Sequence, residues 1–331
     1  MCGLTILGTG GYSPPFTLTN QMLEGIVETD DEWIRARTGI AERRIAAADE
    51  TVLSMALAAS RKALAALDRT KIGVVVAATI TPDYITPSLS CLLQRGLGLS
   101  EDILALDINC ACSGFVMAMK IAYALLADMP DRTALILGCE MLSRVTDYTD
   151  RSTCVLFGDG AGAAVIRRDP DSAAAFDAGA RGNDELLFCE AQYLCNSPFI
   201  ARPRDAEPSG LKMNGQEVFR FAVETSAESV RRSLSRAGVS VSDVDHFIFH
   251  QANRRIIDGI VRKLGADAER CLINIANYGN TSSATCGIAL DELFRSGRVK
   301  RGDKIVICAF GGGLTYASVY FVQNYEKSED L

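Results

Sequence analysis

Two histidines, His246 and His250, stand in a chain of 331 residues, so a reaction that needs an imidazole has almost no choice of residue. Positive charge is also short. There are 34 lysines and arginines against 41 aspartates and glutamates, a net charge of −7, and without a chain-wide positive field no nucleic-acid partner is expected. No run approaches the roughly 18 consecutive apolar residues of a membrane span. The opening MCGLTILGTGGYSPP lacks the basic start and long apolar core of a secretory leader. The expectation is a soluble, cytoplasmic protein with no membrane partner. The eleven cysteines form no metal-ligand pairs, and Cys110-Ala111-Cys112 is not a CxxC motif. No metal is expected, and ten of the cysteines read as reduced, mostly buried small hydrophobes.

The composition that remains, 48% hydrophobic and 23% charged, is that of an ordinary globular protein with a substantial core. Strand-like and helix-like segments alternate from end to end, which predicts an α/β fold. Apolar, β-rich runs include KIGVVVAAT, ILALDIN, TALILGC and AGAAVIRR, then VDHFIFH, KIVICAF and TYASVYFV. Helical stretches lie between them, most with small or polar starts and a glycine near the end. The charge, alanine and glycine of RRDPDSAAAFDAGARG, near Arg167 to Ala180, read as a connecting loop. The expected division is an N-terminal half, 1–172, and a C-terminal half, 173–331. In each, a central strand runs into a loop and helix carrying a candidate catalytic residue. No sequence-level repeat is visible, so duplication is inferred from element order alone.

Cys112, in DINCACSGF, follows a strand and precedes a helix. The helix dipole and unpaired N–H groups there are expected to favour a thiolate, and Cys110, Ala111 and Gly114 are small enough to admit a thioester. His250 ends the strand DHFIFH, a usual place for a catalytic group facing a crevice. His246 shares its strand face but lies about 13 Å upstream, so both cannot serve one site. Asn280, in NYGNTSSAT, could be a plain helix N-cap, or its amide could donate to a carbonyl oxygen without taking its proton, as enolate stabilisation requires. Gly311, Gly312 and Gly313 interrupt two strand-like runs, which weakens a ladder unless a backbone must approach something closely.

These residues give the chain its resemblance to ketoacyl synthase III, the 3-oxoacyl-acyl-carrier-protein synthase of the thiolase superfamily. The likeness runs from ILGTGGYSPP and TDDEWIRARTGIAERRIA through DINCACSGF, FGDGAGAAV and HQANRRI to NYGNTSSA and AFGGGLTYAS. It implies a thiolase-like fold of two similar halves, layered α-β-α-β-α. It puts the nucleophile on Cys112, the histidine and asparagine on His250 and Asn280, and the oxyanion hole on the backbone of Cys112 and Gly312. Trp33, Arg37, Arg151 and Asn253 match positions that hold coenzyme A. The resemblance further implies an acyl-CoA substrate, no cofactor, an acyl carrier protein as partner, a homodimer, and decarboxylative condensation on a thioester that initiates fatty acid synthesis.

Residue types separate the sister families. Elongating synthases use a second histidine where Asn280 stands. Thiolases place a cysteine two residues before the glycines, where this chain has Ala309; Cys308 falls on the opposite strand face. HMG-CoA synthases need a glutamate after the strand ending near Thr79, and TITPDYITPS has none. Plant-type polyketide synthases share the three residues but fit the surrounding motifs less well. At Thr86 acetyl-primed members often carry a phenylalanine that closes the primer pocket, so a primer longer than acetyl is expected. The helix after HQAN carries Arg254, Arg255, Arg262 and Lys263, either a solvated face or a dock for an acidic carrier protein. A condensing enzyme of secondary metabolism and a Cys-His-Asn thioester hydrolase are the alternatives.

Overall fold

The computed structural model describes residues 2–190 and 210–324. Its first half contains β1 (Gly3–Tyr12), the small antiparallel pair β2 (Phe16–Thr19) and β3 (Glu42–Ile45), β4 (Ile72–Ala78), β5 (Leu104–Ile108), β6 (Thr133–Glu140) and β7 (Gly160–Asp169). Then come β8 (Ala174–Asn183), the short pair β9 (Leu187–Cys189) and β10 (Leu211–Met213), β11 (His246–Phe249), β12 (Cys271–Leu272), β13 (Lys304–Gly311) and β14 (Gly313–Val322). The helices are α1 (Asn20–Glu24), α2 (Asp31–Thr38), α3 (Val52–Ala63), α4 (Leu89–Leu97), α5 (Gly114–Leu125), α6 (Arg151–Cys154), α7 (Gly215–Ala237), α8 (Arg254–Leu264), α9 (Ile275–Tyr278) and α10 (Ala284–Arg295).

Two five-stranded sheets organise these elements, ordered β5-β4-β6-β7-β1 and β12-β11-β13-β14-β8. Read in those directions, both run parallel, parallel, antiparallel, antiparallel. The duplication that element order suggested is therefore present in the sheet topology. Strand alternation divides each sheet's side chains between two cores. In β4, Val74 and Val76 face one cluster while Val75 and Ala77 face another. In β13, Ile305, Ile307 and Ala309 face the first, and Val306, Cys308 and Phe310 a third. The shared cluster holds α5 and α10 between the sheets. Helices α3 and α4 cover the outer face of the first sheet, and α7 and α8 that of the second, which completes five layers, α-β-α-β-α.

Two expectations are corrected here, and one strand is added that the sequence did not suggest. Residues 167–180 are not a loop: β7 continues to Asp169, only residues 170–173 turn, and Ala174 starts β8, which pairs with β14. The glycine-rich opening is β1. Its Gly8 and Gly10 admit the α3 backbone so closely that an added Cβ would lie 2.2 Å from Ala63 O and 2.1 Å from Ala59 O. One stretch, Ala111–Asp128, is long and apolar enough to cross a membrane. It is built around α5, whose Phe115, Val116, Ala118, Met119 and Ala122 are fully buried in the central layer. The ten cysteines among the described residues are all free, and Cys195 lies outside them.

Candidate active site

The duplication places corresponding loops at one site. Cys112 precedes α5 as Asn280 precedes α10, and neither helix carries a side-chain cap. Cys112 sits in a tight turn after β5, where Ala111 takes a positive φ of 44°. The Cys110 carbonyl holds the turn by accepting from Ser113 N at 3.2 Å, Ser113 Oγ at 2.8 Å and Thr315 Oγ1 at 3.0 Å. The end of β13 presses against this turn. A Cβ added to Gly311 would lie 2.6 Å from Cys112 N and 3.1 Å from Ser113 N, so only glycine fits.

Cys112, Asn280, Phe310 and Gly311 to Gly313 line one cavity of about 1130 Å³, larger than most small-molecule pockets. Asn280 is 6% exposed. Its Oδ1 accepts from Ser282 N at 2.9 Å, which fixes the amide's orientation and leaves its NH₂ without a partner among the described residues. His250 follows β11 and is 1% exposed. Its ring packs edge-on against Phe310, centroids 5.1 Å apart, just behind the cavity wall. Nδ1 meets Thr285 Oγ1 at 2.6 Å, while Nε2 is buried with no hydrogen-bond partner among the described residues. His246 is committed elsewhere, with Nε2 3.0 Å from Asp303 Oδ2.

Burial lowers the His250 pKa to about 3, so the ring is neutral at ordinary pH. The surroundings of Cys112 run against the expected resting thiolate. Burial pushes the Cys112 thiol up to about 12, reinforced by the charge of Glu140 and only partly offset by a hydrogen bond to Ser282.

Glu140, at the end of β6, is the residue that sequence reasoning missed. Fully buried, its Oε2 accepts from Thr79 Oγ1 (3.2 Å), Ile80 N (3.0 Å) and Thr81 Oγ1 (2.8 Å), and its Oε1 accepts from Ser283 Oγ (2.8 Å). It thereby ties the loop after β4 to the loop that carries Asn280. Burial is the main cause that raises its pKa to about 6. The signal was a lone carboxylate closing the apolar run TALILGCE.

Of the other expected residues, only Asn253 lines the cavity. Arg151 stacks on Trp33, its guanidinium 4.8 Å from the ring centre, and donates from Nη1 to Glu28 O at 2.8 Å. Asn253 caps α8, lines the cavity and donates from Nδ2 to Arg37 O at 3.1 Å, joining α8 to α2. Arg254, Arg255, Arg262 and Lys263 are all exposed, and Arg254 pairs with Asp258 at 2.8 Å. Thr86 is exposed and not part of the cavity wall, although Tyr84 and Ile85 of the same loop line it.

Comparison with known proteins identifies the family. Residues 106–182 match the family described as 3-oxoacyl-[acyl-carrier-protein] synthase III, and residues 234–322 match its C-terminal part. A beta-ketoacyl-[acyl-carrier-protein] synthase III of Clostridium acetobutylicum is 41% identical over 96% of this chain and 98% of its own. The crystal structure of the 3-oxoacyl-[acyl-carrier-protein] synthase III of Aquifex aeolicus VF5 superposes with a TM-score of 0.88 at 42% identity, covering 97% of this chain and 100% of that one. A priming beta-ketosynthase of the R1128 polyketide pathway also has a TM-score of 0.88, at 36% identity, covering 97% and 96%. The chain belongs to the 3-oxoacyl-[acyl-carrier-protein] synthase III family.

Proposed function

We propose that this protein condenses an acyl-CoA primer with malonyl-acyl carrier protein, initiating fatty acid biosynthesis through an acyl-Cys112 intermediate. The observation that carries the reading is the meeting of a cysteine and an amide NH₂ at one cavity, with an imidazole nitrogen just behind its wall, both nitrogens without a partner among the described residues. In the first half-reaction Cys112 Sγ bonds to the acyl carbon and the bond to the CoA sulfur breaks. The thiol proton ends on CoA, so no net proton is consumed. The developing oxyanion is held by the backbone N–H groups of Cys112 and Gly312.

In the second half-reaction the malonyl C–CO₂ bond breaks and its electron pair becomes an enolate. The Asn280 NH₂ and His250 Nε2 hydrogen-bond the thioester oxygen as its charge grows. The enolate carbon then bonds to the acyl carbon, and Cys112 leaves as a thiolate that takes one proton from solvent. The products are 3-oxoacyl-carrier protein, CoA and CO₂.

Trp33, Arg37, Arg151 and Asn253 are assigned to coenzyme A, with the Trp33–Arg151 stack offering a face for the adenine. Arg255, Arg262 and Lys263 are assigned to the acidic carrier protein, with Arg254 beside them. The chain is taken as two halves, 1–172 and 173–331, acting as a cytoplasmic homodimer. The open edge strand β5, whose Leu104 is 44% exposed, supplies a pairing surface. Priming of a polyketide pathway is the second reading, favoured by the 36% identical priming ketosynthase. Malonyl decarboxylation assayed with Cys112→Ala, His250→Ala and Asn280→Ala tests the division of labour. His250→Ala and Asn280→Ala should each lower CO₂ release by roughly 10²-fold or more, and unchanged release would refute their role.

A further inference from the structure

The only hydrogen-bond partner of the His250 ring among the described residues is the Thr285 hydroxyl, 2.6 Å from Nδ1. Both residues are buried, at 1% and 3% exposure. A hydroxyl has one proton to give. Turned toward Ser282 O, 3.1 Å away, it must accept an Nδ1–H and leave Nε2 a bare lone pair. Turned toward Nδ1, it keeps the ring proton on Nε2. Ser282 O already receives the Thr285 backbone N–H at 3.2 Å, so it does not require the hydroxyl, and the contact to Nδ1 is the shorter of the two.

We propose that Thr285 is a positioning residue that donates its hydroxyl proton to His250 Nδ1 and so holds the ring in the Nε2–H tautomer, the form able to donate to the malonyl thioester oxygen. The proposal rests on the condensation reading above. Because burial keeps the ring neutral, the tautomer and not protonation decides whether Nε2 donates. Thr285 also lies in the first turn of α10, and Ser282 of the preceding loop orients the Asn280 amide through its own N–H. One short segment therefore sets both donors. The loop is in turn anchored to the first half by Glu140 through Ser283 Oγ.

Histidine-selective ¹⁵N labelling of the full chain tests this directly, because tautomers differ in their Nδ1 and Nε2 shifts and His246→Gln removes the only other histidine signals. The wild-type His250 should be in the Nε2–H form. In Thr285→Val the ring should shift toward Nδ1–H, and malonyl decarboxylation should fall at least tenfold more than Cys112 acylation. Thr285→Ser should restore both. A wild-type ring in the Nδ1–H form overturns the proposal without any variant, as does a Thr285→Val protein that keeps both the wild-type tautomer and the wild-type decarboxylation rate. A wild-type protein that neither takes up an acyl group nor releases CO₂ refutes the condensation reading instead, and leaves the tautomer to be judged from the spectrum.

Discussion

Gly311→Ala adds one methyl group at the contact between β13 and the Cys112 turn. The new Cβ would stand 2.6 Å from Cys112 N, where ordinary contact begins at 3.4 Å, so the two backbones must part by about 0.8 Å. Neither neighbour is a flexible side chain: the contacts are Cys112 N, Ser113 N and the Cβ of Ala111, whose φ is already positive. Overpacking of this kind costs about 1–3 kcal/mol, a fall in Tm of roughly 1–4 °C at this chain length. The larger effect falls on chemistry. An oxyanion donor works at roughly 2.7–3.1 Å, and a misplacement near 1 Å costs about 10²-fold. Quench-flow formation of acyl-Cys112 should slow by about 10²-fold while the protein stays folded by circular dichroism. Gly182→Ala, where nothing lies within 4 Å of the added Cβ, is the matched control. A folded Gly311→Ala protein acylating within threefold of wild type would refute the argument.

Further outcomes follow from the same geometry. Glu140 has a folded pKa of about 6 against an ordinary 4.5, so the folded state binds the extra proton and stability is lost as pH rises from about 4.5 through 6, by about 2 kcal/mol. His250, depressed to about 3 from 6.5, acts in the opposite sense and loses stability as pH falls below about 6.5. The two oppose each other between pH 4.5 and 6. Urea denaturation of Glu140→Gln at pH 4.5 and 7 should show it gaining about 2 kcal/mol on wild type at the higher pH, and an equal difference at both values would contradict the assignment. Arg255→Glu should raise KM for carrier-bound malonate about tenfold and leave acylation from acyl-CoA unchanged; equal loss in both steps would remove the docking role. With a cavity of about 1130 Å³ beside Cys112, isobutyryl- or octanoyl-CoA should acylate Cys112 at least as fast as acetyl-CoA, and strict acetyl preference would refute room for a longer primer.

Much of the fold was legible because its central strands are buried on both faces and read as unbroken apolar runs, as in TALILGC and KIVICAF. The strands β1 and β8 were not, since their alanines and glycines look like loop. Their pairing comes from partners distant in sequence, Gly3 with Asp169 and Ala174 with Phe321. At the candidate site, Cys112 and His250 were singled out from local context, and Asn280 through the family resemblance. Thr285 and Glu140 were not, because their roles arise only where α10 meets β11 and β6. The helix start before Cys112 is a local property visible in sequence, whereas the desolvation that raises its thiol pKa is set by the packed surroundings and is not.

The most direct test is peptide mass spectrometry after incubation with acyl-CoA and then malonyl-carrier protein. One acyl adduct should form, on the peptide containing Cys112, and disappear when malonyl-carrier protein is added, with release of CO₂ and 3-oxoacyl-carrier protein. Cys112 left unmodified by every acyl-CoA tried, or an adduct that malonyl-carrier protein does not discharge, would contradict the condensation reading.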